Sequence, residues 1–188
     1  SFAARYQRNF DTLSLEEQIK LEESSATIIG LGGLGGGVAE MLARTGVGRI
    51  RMIDGDVFDE TNLNRQLLSE EHLIGVSKAD AAKKRITAVN SEIKTEAIHT
   101  YVDEENLLGF IKDVDVVVDC LDSIDTRFVL QDAARNAGVP IVSGAIAGVT
   151  GQVTVIFPED RGYEVIYGSK SREQSRGVEL KTGNISYC

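Results

Sequence analysis

The stretch ATIIGLGGLGGG, Ala26 to Gly37, constrains this chain more than any other. An apolar run of strand type leads into Gly30, Gly32 and Gly35, which fit G-x-G-x-x-G, and the helical pattern VAEMLARTG follows, closed by Gly46. Strand, glycine turn and helix in that order make a phosphate site. Glycines let the backbone approach the anion, and the N-terminus of the helix offers free N–H groups and partial positive charge. The spacing alone does not choose between a dinucleotide that exchanges hydride and a nucleotide that is cleaved.

Strand and helix signals alternate along the rest of the chain. SLEE, Ser14–Glu17, is a capping box that opens a short helix before the first strand. RIRMID is a second strand ending at Asp54, and GDVFDETNLNRQLLSEEHLIG carries no sustained period. Ser77 caps a helix whose Ala79, Ala82, Ile86 and Val89 form one stripe. KTEAIHTYV alternates like a strand and DEENLLGFIKD is helical. VDVVVDCL is the continuous apolar run expected of a central parallel strand covered on both faces. A helix over about 124–137 leads into PIVSGAI and GQVTVIF, and a hairpin signal in FPEDRGYEVIY predicts that the late strands turn antiparallel. The sum is an α/β fold: a Rossmann-like, doubly wound, mainly parallel sheet with late antiparallel strands, binding its ligand outside the carboxyl ends of the strands.

Composition matters where partners must be chosen. The chain of 188 residues is about one domain. A net charge of −9 and a pI near 4.8 argue against nucleic acid and anionic membrane as partners. No apolar run approaches the roughly 20 residues of a bilayer span, and no signal segment opens the chain, so a cytoplasmic location is expected. The two cysteines form no C-x-x-C pair; Cys120 reads as a buried structural thiol, and Cys188 is terminal. His72 and His99 read as structural or surface residues. The sequence opens without Met and stops on NISYC, and is read as part of something longer.

Charge separates the two ligand classes. Asp54, at the end of the second strand, accepts ribose hydroxyls from NAD as readily as from ATP. NLNRQ, however, supplies Arg65 beside Asn62, Asn64 and Gln66, and Lys78 stands in the first turn of a helix. A cation there costs about 0.3–1 kcal/mol unless an anion is near. Each residue also has a plain alternative: Arg65 paired with Glu70 or Glu71, Lys78 solvated, Asp122 capping the next helix. Taken together, two cations and an acid around one phosphate turn suit a triphosphate with Mg²⁺, which takes one or two carboxylates plus phosphate oxygens.

RYQRN (Arg5–Asn9), GLGGLG (Gly30–Gly35), DGDVFDETNLNRQ (Asp54–Gln66), Lys78 and DCLDSIDTR (Asp119–Arg127) follow one another in a register that resembles the ThiF/MoeB/HesA family, the bacterial relatives of ubiquitin-activating enzymes. The resemblance runs from residue 5 to about 157, and D-x-D-x-V-x-x-x-N-L-x-R-Q is its most specific part. It implies ATP-dependent adenylation of the C-terminal glycine of a ubiquitin-like sulfur-carrier protein, with release of pyrophosphate. It implies that Gly30, Gly32, Gly33 and Gly35, with Asp54, Asp56, Asn62, Arg65, Gln66 and Lys78, bind the nucleotide, and that Asp122 meets Mg²⁺. Arg8, Arg65, Lys78 and Asp122 form the implied catalytic set, Arg8 reaching a neighbour's site in a homodimer.

On the same footing the chain divides into an N-terminal helical arm (1–24), an ATP-binding adenylation domain (25–167), and a mobile crossover-type loop with the start of a truncated C-terminal part (168–188). Zinc is doubtful, because the family's two C-x-x-C pairs have no counterpart here. So is a sulfur-transfer or thioester step, since SRGVELKTGNIS holds no cysteine. A carboxylate nucleophile is already ionised at pH 7, so no general base is needed. An NAD-dependent oxidoreductase and a non-catalytic nucleotide-binding partner of a ubiquitin-like protein are the alternatives.

Overall fold

Parallel strands buried on both faces organise the computed structural model, which describes residues 4–168. The six strands are β1 (Ser25–Ile29), β2 (Arg49–Ile53), β3 (Lys94–Ile98), β4 (Val116–Asp119), β5 (Ile141–Ala147) and β6 (Thr150–Ile156). They lie in the order β3-β2-β1-β4-β5-β6. All neighbours are parallel except β5 and β6. Every residue of β1 is buried, as expected of the innermost strand. Its side chains alternate between two cores. Ala26 and Ile28 join Ile50, Met52 and Val118 on one face, and Ile29 joins Val117 and Ile141 on the other.

Helices cover both faces. On the first side pack α2 (Gly35–Thr45) and α3 (Lys78–Val89). Ala39, Ala43, Ala79, Ala82 and Ile86 complete that core. On the second lie α4 (Leu107–Ile111), α5 (Ile124–Ala137) and the short α6 (Tyr163–Tyr167), through Leu107, Ile111, Phe128, Leu130 and Tyr163. Ahead of the sheet, α1 (Leu15–Glu23) starts in the expected capping box: Ser14 Oγ accepts from Glu17 N, and the Glu17 carboxylate accepts from Ser14 N. Ser77 and Ser123 cap α3 and α5 by their side chains alone, accepting from Asp80 N and Thr126 N. Gly46 closes α2 at φ 97°, a left-handed conformation that glycine adopts without a Cβ penalty.

Several expectations shift. The antiparallel turn comes one connection earlier than predicted, between Ala147 and Thr150, and YEVIY is the helix α6 rather than a returning strand. Within KTEAIHTYV the strand ends at Ile98, so His99 lies beyond it, exposed, its ring nitrogen donating to Gly55 O at 2.9 Å. The helix in DEENLLGFIKD is confined to one turn and a half. α2 begins at Gly35, so three glycines of the opening motif lie inside the helix. The loop expected after residue 168, and Cys188, fall outside the described residues.

The N-terminal arm docks at one pole of the sheet. Tyr6 is 2% exposed, and its hydroxyl accepts from Asn90 Nδ2 at 2.7 Å at the end of α3. Asn9 Nδ2 donates to Gln18 Oε1, and Gln18 Nε2 donates to Thr45 O at 2.9 Å at the end of α2. Among the described residues no helix is long and apolar enough to cross a membrane.

Candidate functional site

At the opposite pole, the carboxyl ends of β1, β2 and β4 border a cavity of about 800 Å³, within the range of small-ligand sites. Its floor is the glycine turn. Gly30 stands at φ 88°, and a Cβ there would lie 2.6 Å from Cys120 O. A Cβ on Gly35 would lie 1.8 Å from Gly30 O, so the first turn of α2 rests directly on the strand end. Asp54 ties the turn to β2. Its Oδ2 accepts from Leu31 N at 2.7 Å and its Oδ1 from Asp56 N at 2.8 Å. Lone pairs remain for further donors such as ribose hydroxyls.

The charged residues singled out by sequence meet here, and each plain alternative gives way. Lys78 is not solvated: its side chain is 7% exposed, and Nζ lies 3.2 Å from Asp56 Oδ2. Tyr101 donates to the other Asp56 oxygen at 2.7 Å. That hydrogen bond first, and the Lys78 ammonium next, hold the Asp56 carboxyl below its usual range. Arg65 is not paired with Glu70 or Glu71. Its Nη1 donates to Thr61 O at 2.8 Å and Asn64 Oδ1 at 3.0 Å, and its Cγ and backbone carbonyl lie beside Gly33. Asp122 is not the helix cap, because Ser123 takes that role. Its exposed carboxylate lines the cavity with no hydrogen-bond or ion-pair partner among the described residues.

Asn62 and Gln66 are buried in the same wall. Asn62 Oδ1 accepts from Asp59 N at 3.1 Å, which shapes the loop that carries Arg65. Gln66 lies beside Gly32, and among the described residues its Oε1 is the buried side-chain polar atom left without a partner. Such an atom is costly unless a ligand or water completes it. Arg8 is elsewhere. It sits exposed on the arm, forms no ion pair with Asp11 or Glu16, and does not line the cavity.

One layer down lies a network that the sequence reading did not assign. Asp119, fully buried at the end of β4, accepts from Ser143 Oγ at 2.7 Å, Leu121 N at 2.9 Å and the Tyr163 hydroxyl. Arg127 pairs with it at 2.9 Å and donates to Leu121 O and, at 2.7 Å, to Gly144 O. The pair thereby ties the loop that carries Asp122 to β5. A buried carboxylate needs such partners, and an Asp within the apolar run VVVDCL is the signal that announces it. Burial pushes the neighbouring Cys120 thiol up to about 12, which keeps it unreactive.

The donor set bears on the metal. Among the described residues no three His, Cys, Asp or Glu side chains gather to hold an ion. A carboxylate such as Asp122, without a partner among the described residues and close to the glycine turn, suits Mg²⁺, which fills most of its shell from phosphate oxygens and water.

The sequence matches the ThiF family over residues 5–185. The chain belongs to the ThiF family. Among the relatives of this ThiF-family chain is the adenylyltransferase and sulfurtransferase MOCS3 of Anopheles gambiae, 38% identical over 154 residues, or 81% of this chain and 35% of that protein. The SAMP-activating enzyme E1 of Haloferax volcanii is 34% identical over 165 residues, 87% of this chain and 61% of that one. The chain thus spans about a third of the MOCS3 relatives' length. In structure it resembles E. coli tRNA N6-threonylcarbamoyladenosine dehydratase, TcdA, in complex with ATP. The TM-score is 0.74 at 28% identity, over 78% of this chain and 61% of that chain. E. coli MccB with MccA-N7isoASN gives 0.77 at 27% identity, over 84% and 49%.

Proposed function

We propose that this ThiF-family chain is an ATP-using adenylyltransferase that activates the C-terminal glycine carboxylate of a ubiquitin-like sulfur-carrier protein. The observation that carries the reading is the meeting around one glycine turn of Arg65, buried Lys78 and Asp122, which has no partner among the described residues. A dinucleotide pyrophosphate is served by backbone N–H groups and a helix dipole, and would leave those cations without a task. The names of the MOCS3 and SAMP-activating relatives support the same chemistry, and the ATP complex of TcdA supports the ligand. A tRNA substrate, as in that dehydratase's name, fits poorly with a net charge of −9.

The step follows from the groups present. A carboxylate oxygen of the carrier attacks the α-phosphorus, the bond from that phosphorus to the bridging oxygen breaks, and pyrophosphate leaves with the electron pair. No proton moves, so no acid or base is required. Arg65 and Lys78 neutralise charge on the triphosphate, Asp54 orients the ribose, and the helix dipole of α2 meets the phosphates. Mg²⁺, held by Asp122 and phosphate oxygens, would add Lewis-acid charge neutralisation.

ATP–pyrophosphate exchange tests the reading. Exchange of labelled pyrophosphate into ATP is expected only with a ubiquitin-like carrier ending in glycine. ATP binding without carrier-dependent exchange would leave a non-catalytic partner, and tight NADH binding with no ATP response would restore the oxidoreductase.

A further inference from the structure

Past Asp54 the cavity wall becomes aromatic. Tyr101, in the loop after β3, lines the cavity and is 70% exposed, unusual for so large a ring. It is nevertheless held firmly. Its hydroxyl donates to Asp56 Oδ1 at 2.7 Å, and its carbonyl accepts from Asn106 Nδ2 at 3.0 Å. Its ring covers Gly55. A Cβ built on Gly55 would stand 2.6 Å from Cδ1, 2.6 Å from Cγ and 2.7 Å from Cε1. Near-equal distances to three consecutive ring atoms place that point over the face of the ring, not beyond its edge. One face of Tyr101 therefore lies on the Gly55 backbone, and the other is open.

The chain order gives the open face a use. In a glycine-turn site of this type the phosphates lie on the turn and the ribose hydroxyls reach the acid that ends β2, here Asp54. The base continues beyond the ribose, away from the turn. Gly55 is the next residue after Asp54, and Tyr101 lies on it. An aromatic ring packed on one face, open on the other and fixed by hydrogen bonds loses little freedom when a second flat ring joins it.

We propose that Tyr101 is the stacking platform for the nucleobase, and so a determinant of how tightly this site holds a nucleotide over its bare phosphates. The assignment rests on the ATP reading above. It also gives Asp56 a double part: one oxygen positions Lys78 for phosphate, and the other positions the ring for the base.

The test separates base from phosphate, using the full chain with ATP and with inorganic tripolyphosphate, which has no base. Tyr101→Ala is expected to weaken ATP binding by about ten- to a hundredfold in titration calorimetry, while tripolyphosphate binding stays unchanged. Tyr101→Phe keeps the ring and should retain most of the ATP affinity. The chain contains no tryptophan, so Tyr101→Trp provides a single tryptophan, excited selectively beyond the tyrosine absorption and expected to be quenched by ATP and not by tripolyphosphate.

The platform is overturned if folded Tyr101→Ala binds ATP like the wild type. Equal loss of ATP and tripolyphosphate overturns it too, as does a Tyr101→Trp emission indifferent to ATP. These outcomes leave the ATP reading standing. A wild-type chain that does not bind ATP ends both.

Discussion

Asp122 and Lys78 face the same cavity but belong to different kinds of residue, and their substitution separates function from stability. The Asp122 carboxylate is exposed and bonded to nothing among the described residues, so Asp122→Ala should change folding stability by no more than about 0.5 kcal/mol in urea titration. Its pyrophosphate-exchange rate should fall by about two to three orders of magnitude, the scale of one lost transition-state contact. Lys78 is buried against Asp56, so Lys78→Ala should show a similar fall together with a stability loss of about 1 kcal/mol, moderated because Asp56 is half exposed. Near wild-type exchange in both folded variants would return them to structural roles. These residues were legible because a cation at a helix start, and an acid just after a buried strand, are locally odd. Arg127 and Tyr163 were not: Arg127 meets Asp119 only once α5 packs back on β4, and Tyr163 comes from a segment remote in sequence. Tyr101 was hidden for a related reason. A tyrosine inside an alternating run reads as strand, and only the packing of the next layer shows the ring lying on Gly55.

The glycine turn and the helix it opens leave no room at one glycine and ample room two positions on. A methyl on Gly35 would meet Gly30 O at 1.8 Å, a backbone atom that moves only if strand and helix separate. Gly35→Ala should therefore cost about 3 kcal/mol and abolish ATP binding by calorimetry. Gly37 has nothing within 4 Å of the same position and lies inside α2, so Gly37→Ala should raise stability by about 0.5–1 kcal/mol with ATP affinity unchanged. A Gly35→Ala chain that still binds ATP would show that the contact has more give than its distance implies. Element identity was readable wherever the period ran long, as in α5, whose bounds match the expected 124–137. It failed in YEVIY, where β-branched and aromatic residues suit a strand, yet Tyr163 turns inward to Asp119 and winds the segment into a helix.

For the whole molecule, the separation of the arm from the site matters most. Arg8 belongs to a segment docked on the C-terminal end of α2, whereas the phosphate turn lies at its N-terminal end, about 16 Å away by helix rise. Its guanidinium therefore has no route to its own cavity, and we propose that it serves a neighbour, as the family resemblance implies. Mixing an Arg8→Ala subunit with an Asp122→Ala subunit checks this. A heterodimer in which Arg8 acts on the neighbour has one intact site and should recover up to half the activity per dimer. A stable heterodimer with no recovery would count against it. Fold class was legible because alternation leaves few topologies open, whereas a neighbour's contribution has no signature in one chain's periodicity. The sheet order carries a further consequence, for how the cavity comes into being. Ser25, at the start of β1, is fastened to Asp115 ahead of β4 across 90 residues of chain. The crevice exists only after that long loop has closed, so it is built by non-local contacts, the slow kind. On the ATP reading, the nucleotide would have nowhere to bind during synthesis until β4 has been made, and from then on it would protect the closed sheet as one cooperative unit.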